Sequence, residues 1–253
     1  NRANKPTCAI FLNRTQVTKK TPSIKMKYIV IGLGNFGLSL AEKLTKLGNE
    51  VIGVDNSMTK VESVKEKISH AICLDATDEY TMDGLPFKDT DTVIIAIGEN
   101  TGANIMATAM VKKLHPNRII SRAIDPLHQT VLEAMDIHTI VHPEEETAEK
   151  WAKKLSLKGM VESFELSGKF SIVELTAQES CIGKKIEDIG FRRNFNLVFI
   201  TIIRKTIEKN ILGRVKRVNE VQGVVNNEVV IEKGDILVLY GENEAINGFI
   251  KAN

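Results

Sequence analysis

The chain has little cysteine. Its three residues, Cys8, Cys73 and Cys181, stand far apart among 253 and form no C-x-x-C pair. This excludes a disulfide framework and a cysteine zinc site, and it suits a reducing cytoplasm. Long apolar runs are also missing. The longest, YIVIG at 28–32 and VIIAIG at 93–98, fall far short of the ~20 residues that span a bilayer. The chain is therefore not expected to cross a membrane by itself. Net charge is only +2, and the excess lies in six basic residues of the first 25 (Arg2, Lys5, Arg14, Lys19, Lys20, Lys25), where no acidic residue occurs. The remainder carries 28 basic against 32 acidic groups, a net of −4. With no basic run to mark a binding face, no nucleic-acid partner is expected. A composition that is 43% hydrophobic and 26% charged excludes disorder and fibrous structure.

Catalytic apparatus is scarce as well. The five histidines, His70, His115, His128, His138 and His142, leave none in the second domain. Tyr240 has Glu244 four positions on, so a Tyr-x-x-x-Lys pair for moving a proton alongside a hydride is absent. His138 and His142 have the spacing of helical metal ligands, yet they fall in and after a strand, which points them differently. No nucleophile elbow or P-loop lysine appears, and no segment is left over for a helix-turn-helix. These absences favour a binding module over an enzyme, with an NAD-dependent oxidoreductase as the alternative.

What is present begins at Met26, read as the start of the ordered chain after an upstream extension over 1–25. Residues 27–31 read as a buried strand. Phe36, Leu40, Leu44 and Leu47 then mark an amphipathic helix ended by Gly48–Asn49. Strands are expected at 50–54, 70–74, 92–97, 118–121 and 138–141, with helices over 57–67, 101–114 and 127–135. Strands alternating with helices require crossovers, hence a doubly wound parallel sheet of Rossmann-like type, an α/β domain over 26–143.

The loop after the first strand reads Gly32-Leu33-Gly34-Asn35-Phe36-Gly37. Gly32 suits a tight turn, Gly34 a close backbone approach to a pyrophosphate, and Gly37 close packing of helix on strand. The loop, Asn35 and Phe36 included, would place that pyrophosphate on the helix N-terminus. The structural alternative is a glycine turn alone. Asp55 follows Gly34 by 21 positions, placed to accept ribose hydroxyls and to repel a 2′-phosphate, which disfavours NADP. Asp75 and Ala76 are expected at the adenine edge. Thr77 or Asp78 is expected to cap the next helix. Ile97 and Gly98 end the fourth strand, where glycine admits a ligand against the backbone. Arg122, ending the fifth, reads equally as a phosphate-facing cation or a surface salt bridge.

The second half reads as a smaller α+β domain over 163–253. Strands are expected at 170–175, 196–203, 227–231 and 235–240, short helices near 184–189 and 243–250, and a long hairpin excursion over 204–227. Between the halves, over 144–162, Ala148, Trp151, Ala152 and Leu155 form one apolar stripe of a linker helix.

Taken together, YIVIGLGNFG, GVD at 53–55, CLDATDE at 73–79, VIIAIGEN at 93–100 and IVHPEEETA at 140–148 resemble the KtrA/TrkA family of regulatory subunits of bacterial potassium uptake systems. Their module is the RCK or KTN domain. FSIVELTAQESCIGKKIEDIGFRRNFNLVFITIIRK at 170–205 and IEKGDILVLYGE at 231–242 resemble that family's C-terminal domain, including a strand ending in arginine and a closing Gly-Asp hairpin. The resemblance implies a nucleotide-sensing regulatory subunit that gates a separate potassium-translocating membrane subunit on the cytoplasmic face. It also implies a homodimer with a linker helix crossing to the partner, and a larger ring. Many members carry arginine at the position of Asn35. A neutral residue there weakens ATP-versus-ADP discrimination and makes ADP or NAD(H) candidate ligands beside ATP. The resemblance further implies a divalent cation at Glu133 and cyclic di-AMP on the C-terminal domain.

Overall fold

The computed structural model describes residues 25–114, 116–209 and 215–252. The extension expected over 1–25 lies, except for Lys25, outside the described residues, as does His115. The chain divides into two compact units between His142 and Pro143.

In the first unit the order is β1 (Lys27–Ile31), α1 (Asn35–Lys46), β2 (Glu50–Asp55), α2 (Met58–Val64), β3 (His70–Cys73), α3 (Glu79–Met82), β4 (Thr92–Ile95), α4 (Thr101–Lys113), β5 (Ile119–Arg122), α5 (Pro126–Ala134) and β6 (Thr139–Val141). The described residues form one six-stranded sheet, all parallel, in the order β3-β2-β1-β4-β5-β6. This is the doubly wound arrangement expected from the alternating pattern. Because both faces are covered, the central strands read as continuous apolar runs. Along β1 the side chains still alternate. Ile29 and Ile31 join Ala107 and Val111 of α4 in one core, while Val30 joins Ala41 of α1 and Val61 of α2 in the other. The strand order reverses between β1 and β4. There the crossover helices leave on opposite faces, and a crevice opens at the carboxyl ends of the strands.

Between β3 and β4 the helix expected after Thr77 and Asp78 is the four-residue α3, and the structure adds a 3-10 turn over Phe87–Asp89, an element too short to show a period. Asp78 caps α3 by accepting from the Tyr80 N–H at 3.0 Å.

The second unit runs α6 (Pro143–Ser156), β7 (Met160–Ser167), β8 (Phe170–Thr176), α7 (Ile186–Ile189), α8 (Phe191–Phe195), β9 (Val198–Lys209), β10 (Val215–Val221), β11 (Ile236–Glu242) and α9 (Asn243–Ala252). Its antiparallel sheet has the order β10-β9-β11-β8-β7. The core is packed around Leu175, Leu197, Ile202, Leu237 and Phe249, with the Phe249 ring 5.0 Å from Phe195 and 5.4 Å from Phe191. The excursion expected over 204–227 includes the arms of a hairpin, paired from Val221↔Ile203 to Val215↔Lys209.

Two expectations are corrected here. Residues 227–231 form no ladder. They make a turn with an isolated bridge from Val230 to Lys185, and their apolar character comes from Ile231, buried at 0% exposure without strand pairing. The linker helix expected through 162 stops at Ser156, and Met160 to Glu162 already belong to the edge strand β7. Trp151 and Leu155 on α6 are exposed.

The arginine and the Gly-Asp hairpin quoted above as separate marks are partners. Arg204 on β9 donates from Nε to Asp235 Oδ1 at 2.8 Å and from its terminal nitrogen to Oδ2 at 2.7 Å. Asp235 Oδ2 also accepts from the Glu232 N–H at 2.8 Å, so one buried carboxylate holds both the strand and the turn that leads into β11.

Candidate functional site

The glycine loop sits at the point where strand order reverses. Gly32 takes φ +96°, a left-handed conformation that favours glycine, and its N–H donates to Val54 O at 2.7 Å. Gly37 packs so close that a Cβ built on it would overlap the carbonyl oxygen of Gly32. Gly34 is different. It is the N-cap of α1 with φ −68° and ψ −175°, and a Cβ there meets no protein atom within 4 Å. Neither the backbone nor the surrounding protein requires glycine at 34. The first turn of α1 contains no acidic residue and no side-chain cap, so its leading N–H groups and the helix dipole are left for an anion. Asn35 is exposed at the first helical position, and Phe36 is half-buried behind it.

Asp55 ends β2 at 7% exposure. Its Oδ2 accepts from the Leu33 N–H at 2.7 Å and its Oδ1 from the Ser57 N–H at 2.9 Å, which pins the glycine loop to the second strand. An ionised carboxylate has about four acceptor positions, so each oxygen keeps capacity for a ribose hydroxyl. Sequence reasoning missed Lys60 on α2, whose Nζ lies 3.8 Å from Asp55 and 3.9 Å from Glu99. That cation offsets the repulsion of a 2′-phosphate, so the carboxylate charge alone does not exclude NADP.

The segment after β3 lies beside the end of β2, where Cys73 pairs with Asp55 and the Leu74 N–H donates to Asp55 O at 3.1 Å. Asp75 is exposed and accepts from the Thr77 hydroxyl at 2.7 Å and the Thr77 N–H at 2.9 Å. Those two bonds hold its carboxyl below the usual carboxylate range. Ala76 is buried in the core, and Thr77 serves Asp75, leaving the cap of α3 to Asp78.

On the other side of the crevice, the Ile97 backbone nitrogen would lie 2.9 Å from a Cβ at Gly32. Gly98 leaves room for the Arg122 guanidinium, which a Cβ would overlap. Arg122 also lies over the Phe36 ring, 6.0 Å from its centroid. Printed contacts thus link Gly32, Gly37, Ile97, Gly98, Arg122, Phe36 and, through the Leu33 N–H, Asp55 around the glycine loop, with a buried carboxylate on one side and a cation on the other. Glu133 stands elsewhere, exposed on α5, accepting from Gln129 at 2.7 Å. Among the described residues no group of three His, Cys, Asp or Glu side chains that could hold a metal ion occurs.

Sequence reasoning also missed a buried polar network behind Gly98 and Arg122. Asn104, Thr108, Ser121 and His128 are all at most 1% exposed. Asn104 and Thr108 occupy the i and i+4 positions of the face of α4 that buries Ala107 and Val111, and polar residues at core spacing are the signal that marks them. His128 Nε2 lies 3.2 Å from Asn104 Oδ1, while Nδ1 is buried without a hydrogen-bond partner. Burial first, and the nearby His142 to a lesser degree, push the His128 pKa down against an opposing pull from Asp125, so the ring is neutral in the fold. In the unfolded chain it titrates near pH ~6.5. The unfolded state therefore binds more protons just below that pH. The stabilisation from a neutral ring is complete above ~6.5 and is lost as pH falls from there towards the depressed native value. The unfolding free energy should drop between pH 7.5 and 5.5 with a slope of up to about 1.4 kcal/mol per pH unit from this group, read by urea denaturation at each pH. His128→Gln should flatten the profile, and an unchanged slope would exclude His128 as its source.

The comparisons with known proteins agree with this fold. Residues 28–143 match the TrkA-N domain. Ktr system potassium uptake protein C of Bacillus subtilis is 32% identical over 228 residues, covering 90% of this chain and 97% of that protein. Ktr system potassium uptake protein A of the same organism is 30% identical, over 88% of this chain and 95% of its own length. Among solved structures, the GsuK RCK domain superposes with a TM-score of 0.60 at 17% identity, over 91% of this chain and 48% of that one. The GsuK channel bound to NAD gives a TM-score of 0.58 at 17% identity, over 88% of this chain and 38% of that one.

Proposed function

The chain belongs to the family of Ktr and TrkA potassium uptake proteins, and from that premise we propose that it is a nucleotide-sensing regulatory subunit that gates a separate potassium-translocating membrane subunit. No helix among the described residues is long and apolar enough to cross a membrane, so translocation falls to the partner. The observation that carries the nucleotide reading is Gly34, a glycine that neither its backbone angles nor its protein neighbours demand, at the N-terminus of α1 and at the switch point of the sheet. A close-lying phosphate supplies the missing reason.

The ligand this crevice fits is an adenine nucleotide, ADP, ATP or NAD(H). The α1 amides and Arg122 would take its phosphates, Asp55 its ribose, and the edge formed by Asp75, Ala76 and Thr77 its base, with Ile97 and Gly98 as the opposite wall. Neutral Asn35 offers a terminal phosphate a hydrogen bond of about 1 kcal/mol, against roughly 1.5–3 for a charged partner. The site offers donors and a carboxylate acceptor for binding, and its histidine neighbour is committed to Asn104. Nucleotide arrival is thus a signal. It shifts a gating equilibrium by its differential affinity for the two states, and several sites in a ring share the roughly 10⁴-fold needed to move from 1:99 to 99:1. Exposed Trp151 and Leu155 on α6 support a homodimer through that helix, and a larger ring follows the family. Glu133 as a shared cation ligand and cyclic di-AMP on the second unit belong to the same reading. The location is the cytoplasmic face of the membrane.

Calorimetry with ADP, ATP, NADH and NADPH tests the site. Gly34→Ala should change stability by no more than about 1 kcal/mol, since alanine adopts these angles and stiffens the unfolded chain but is the poorer N-cap, yet weaken the best nucleotide at least about tenfold. Asp55→Ala should weaken the same ligand. Undiminished affinity in both variants would remove the crevice as the site. For the gating role, potassium uptake that keeps its nucleotide response after deletion of the gene would overturn the proposal.

A further inference from the structure

The strands β4 and β5 pair only as far as Ile95↔Ser121. Beyond that step no ladder pair joins them among the described residues. At the point where the ladder stops, Asn104 takes over: its Nδ2 donates to Ile97 O at 2.8 Å and to Arg122 O at 3.1 Å. One side-chain amide therefore ties together the two segments that carry Gly98 and the guanidinium.

We propose that Asn104 is a positioning residue that aims Arg122 at the phosphates of the bound nucleotide, an inference that rests on reading the crevice as a nucleotide site. Its amide cannot turn. Only the NH2 end can face two carbonyls, and the Oδ1 end is met by Ser121 Oγ at 3.1 Å, His128 Nε2 at 3.2 Å and Thr108 Oγ1 at 3.4 Å. Those partners come from β5, α5 and α4, so three elements fix the orientation of a side chain that is itself 0% exposed. Hydrogen-bonded buried polar groups rigidify the packing around them and so specify geometry. The geometry specified here is the spacing of the Ile97 and Arg122 carbonyls. Arg122 is then confined from its own backbone outward, with the bare face of Gly98 beneath the guanidinium and the Phe36 ring beside it. A shift of either strand end moves the cation without touching Asp55 or the adenine edge, so Asn104 acts on phosphate recognition separately from nucleoside recognition.

The test is calorimetry on the full chain with ADP, AMP and adenosine. Asn104→Asp keeps the shape and leaves an acceptor for Ser121, Thr108 and His128, but removes the N–H groups that hold the two carbonyls. It should lower ADP affinity about tenfold and leave adenosine affinity within about twofold. In an Arg122→Ala background, where ADP is already weakened, it should have no further effect on ADP, because the two residues act as one unit. If Asn104→Asp does not fold, Asn104→Ser should give the same pattern. An equal loss for ADP and adenosine, a loss additive with Arg122→Ala, or no loss at all would overturn the proposal. So would Arg122→Ala leaving ADP affinity intact while Asp55→Ala lowers it, an outcome that preserves the nucleotide site. Wild-type protein that binds none of the three ligands would reject the site itself.

Discussion

Arg204→Ala is expected to destabilise the second unit by about 3–5 kcal/mol, among the largest effects of any single substitution outside the hydrophobic core. The side chain of Asp235 is 2% exposed, and that of Arg204 is 25% exposed. Removing the arginine strands a carboxylate that cannot reach water and leaves it with only the Glu232 N–H. Removing the carboxylate strands a guanidinium that retains Glu232 at 2.7 Å, Val230 O at 3.2 Å and a path to solvent. The order of effects follows: Arg204→Ala should cost more than Asp235→Ala. A double replacement by apolar residues of similar volume should recover most of the loss, since the desolvation of both charges is then avoided. In thermal denaturation the single variant should melt more than about 10 °C below wild type in the transition belonging to residues 143–253. A shift of only a degree or two, or the reverse order of the two alanine variants, would show that the pair is a surface contact and not the clamp between β9 and the turn before β11.

How much of this was legible in the sequence depends on whether a residue's role is local. The crossover pattern and the glycine spacing are local properties, and they led to the parallel sheet, its helices and the loop at residues 32–37 directly. Asp55 was legible because its position at the end of a strand follows from counting along the chain. Edge strand β7 was not. Phe164 and Leu166 are exposed on it, so its apolar residues do not mark a buried face, and its first three residues fell within the linker expected to end at 162. Residues 227–231 misled in the opposite direction. Ile231 is buried by the core of the second unit and the chain around it is a turn, so burial produced apolarity without a strand. Lys60 and His128 were illegible for a third reason: each acts through a partner, 5 and 24 positions away respectively, that only the fold brings near. A polar residue at a core position of a helix is the one trace such networks leave in a sequence, and Asn104 with Thr108 left it.

Gly37→Ala should be the more severe of two substitutions in the same loop, although Gly34→Ala adds the same methyl group. At Gly37 the new carbon would overlap the Gly32 carbonyl oxygen and stand 3.0 Å from the Ala96 Cβ. Gly32 cannot retreat. Its N–H is bonded to Val54 O at 2.7 Å and its φ of +96° admits little adjustment, while the Ala96 N–H is itself bonded to Ile31 O at 2.7 Å. The strain must be relieved by lifting α1 off β1 and β4, which separates Ala41 and Val30 from their shared core. Overpacking of this kind costs about 1–3 kcal/mol, and a backbone obstacle on one side and a core methyl on the other place it at the upper end. The same movement carries the α1 amides away from Asp55, which holds the Leu33 N–H at 2.7 Å, so nucleotide affinity should fall at least about a hundredfold. Urea denaturation paired with calorimetry separates the two glycines: Gly37→Ala should lose stability and binding together, Gly34→Ala binding alone. If Gly37→Ala unfolds at the wild-type midpoint, the close contact between α1 and the loop does not hold the helix. If both variants lose stability equally, Gly34 has a structural reason after all, and no ligand is needed to account for its glycine.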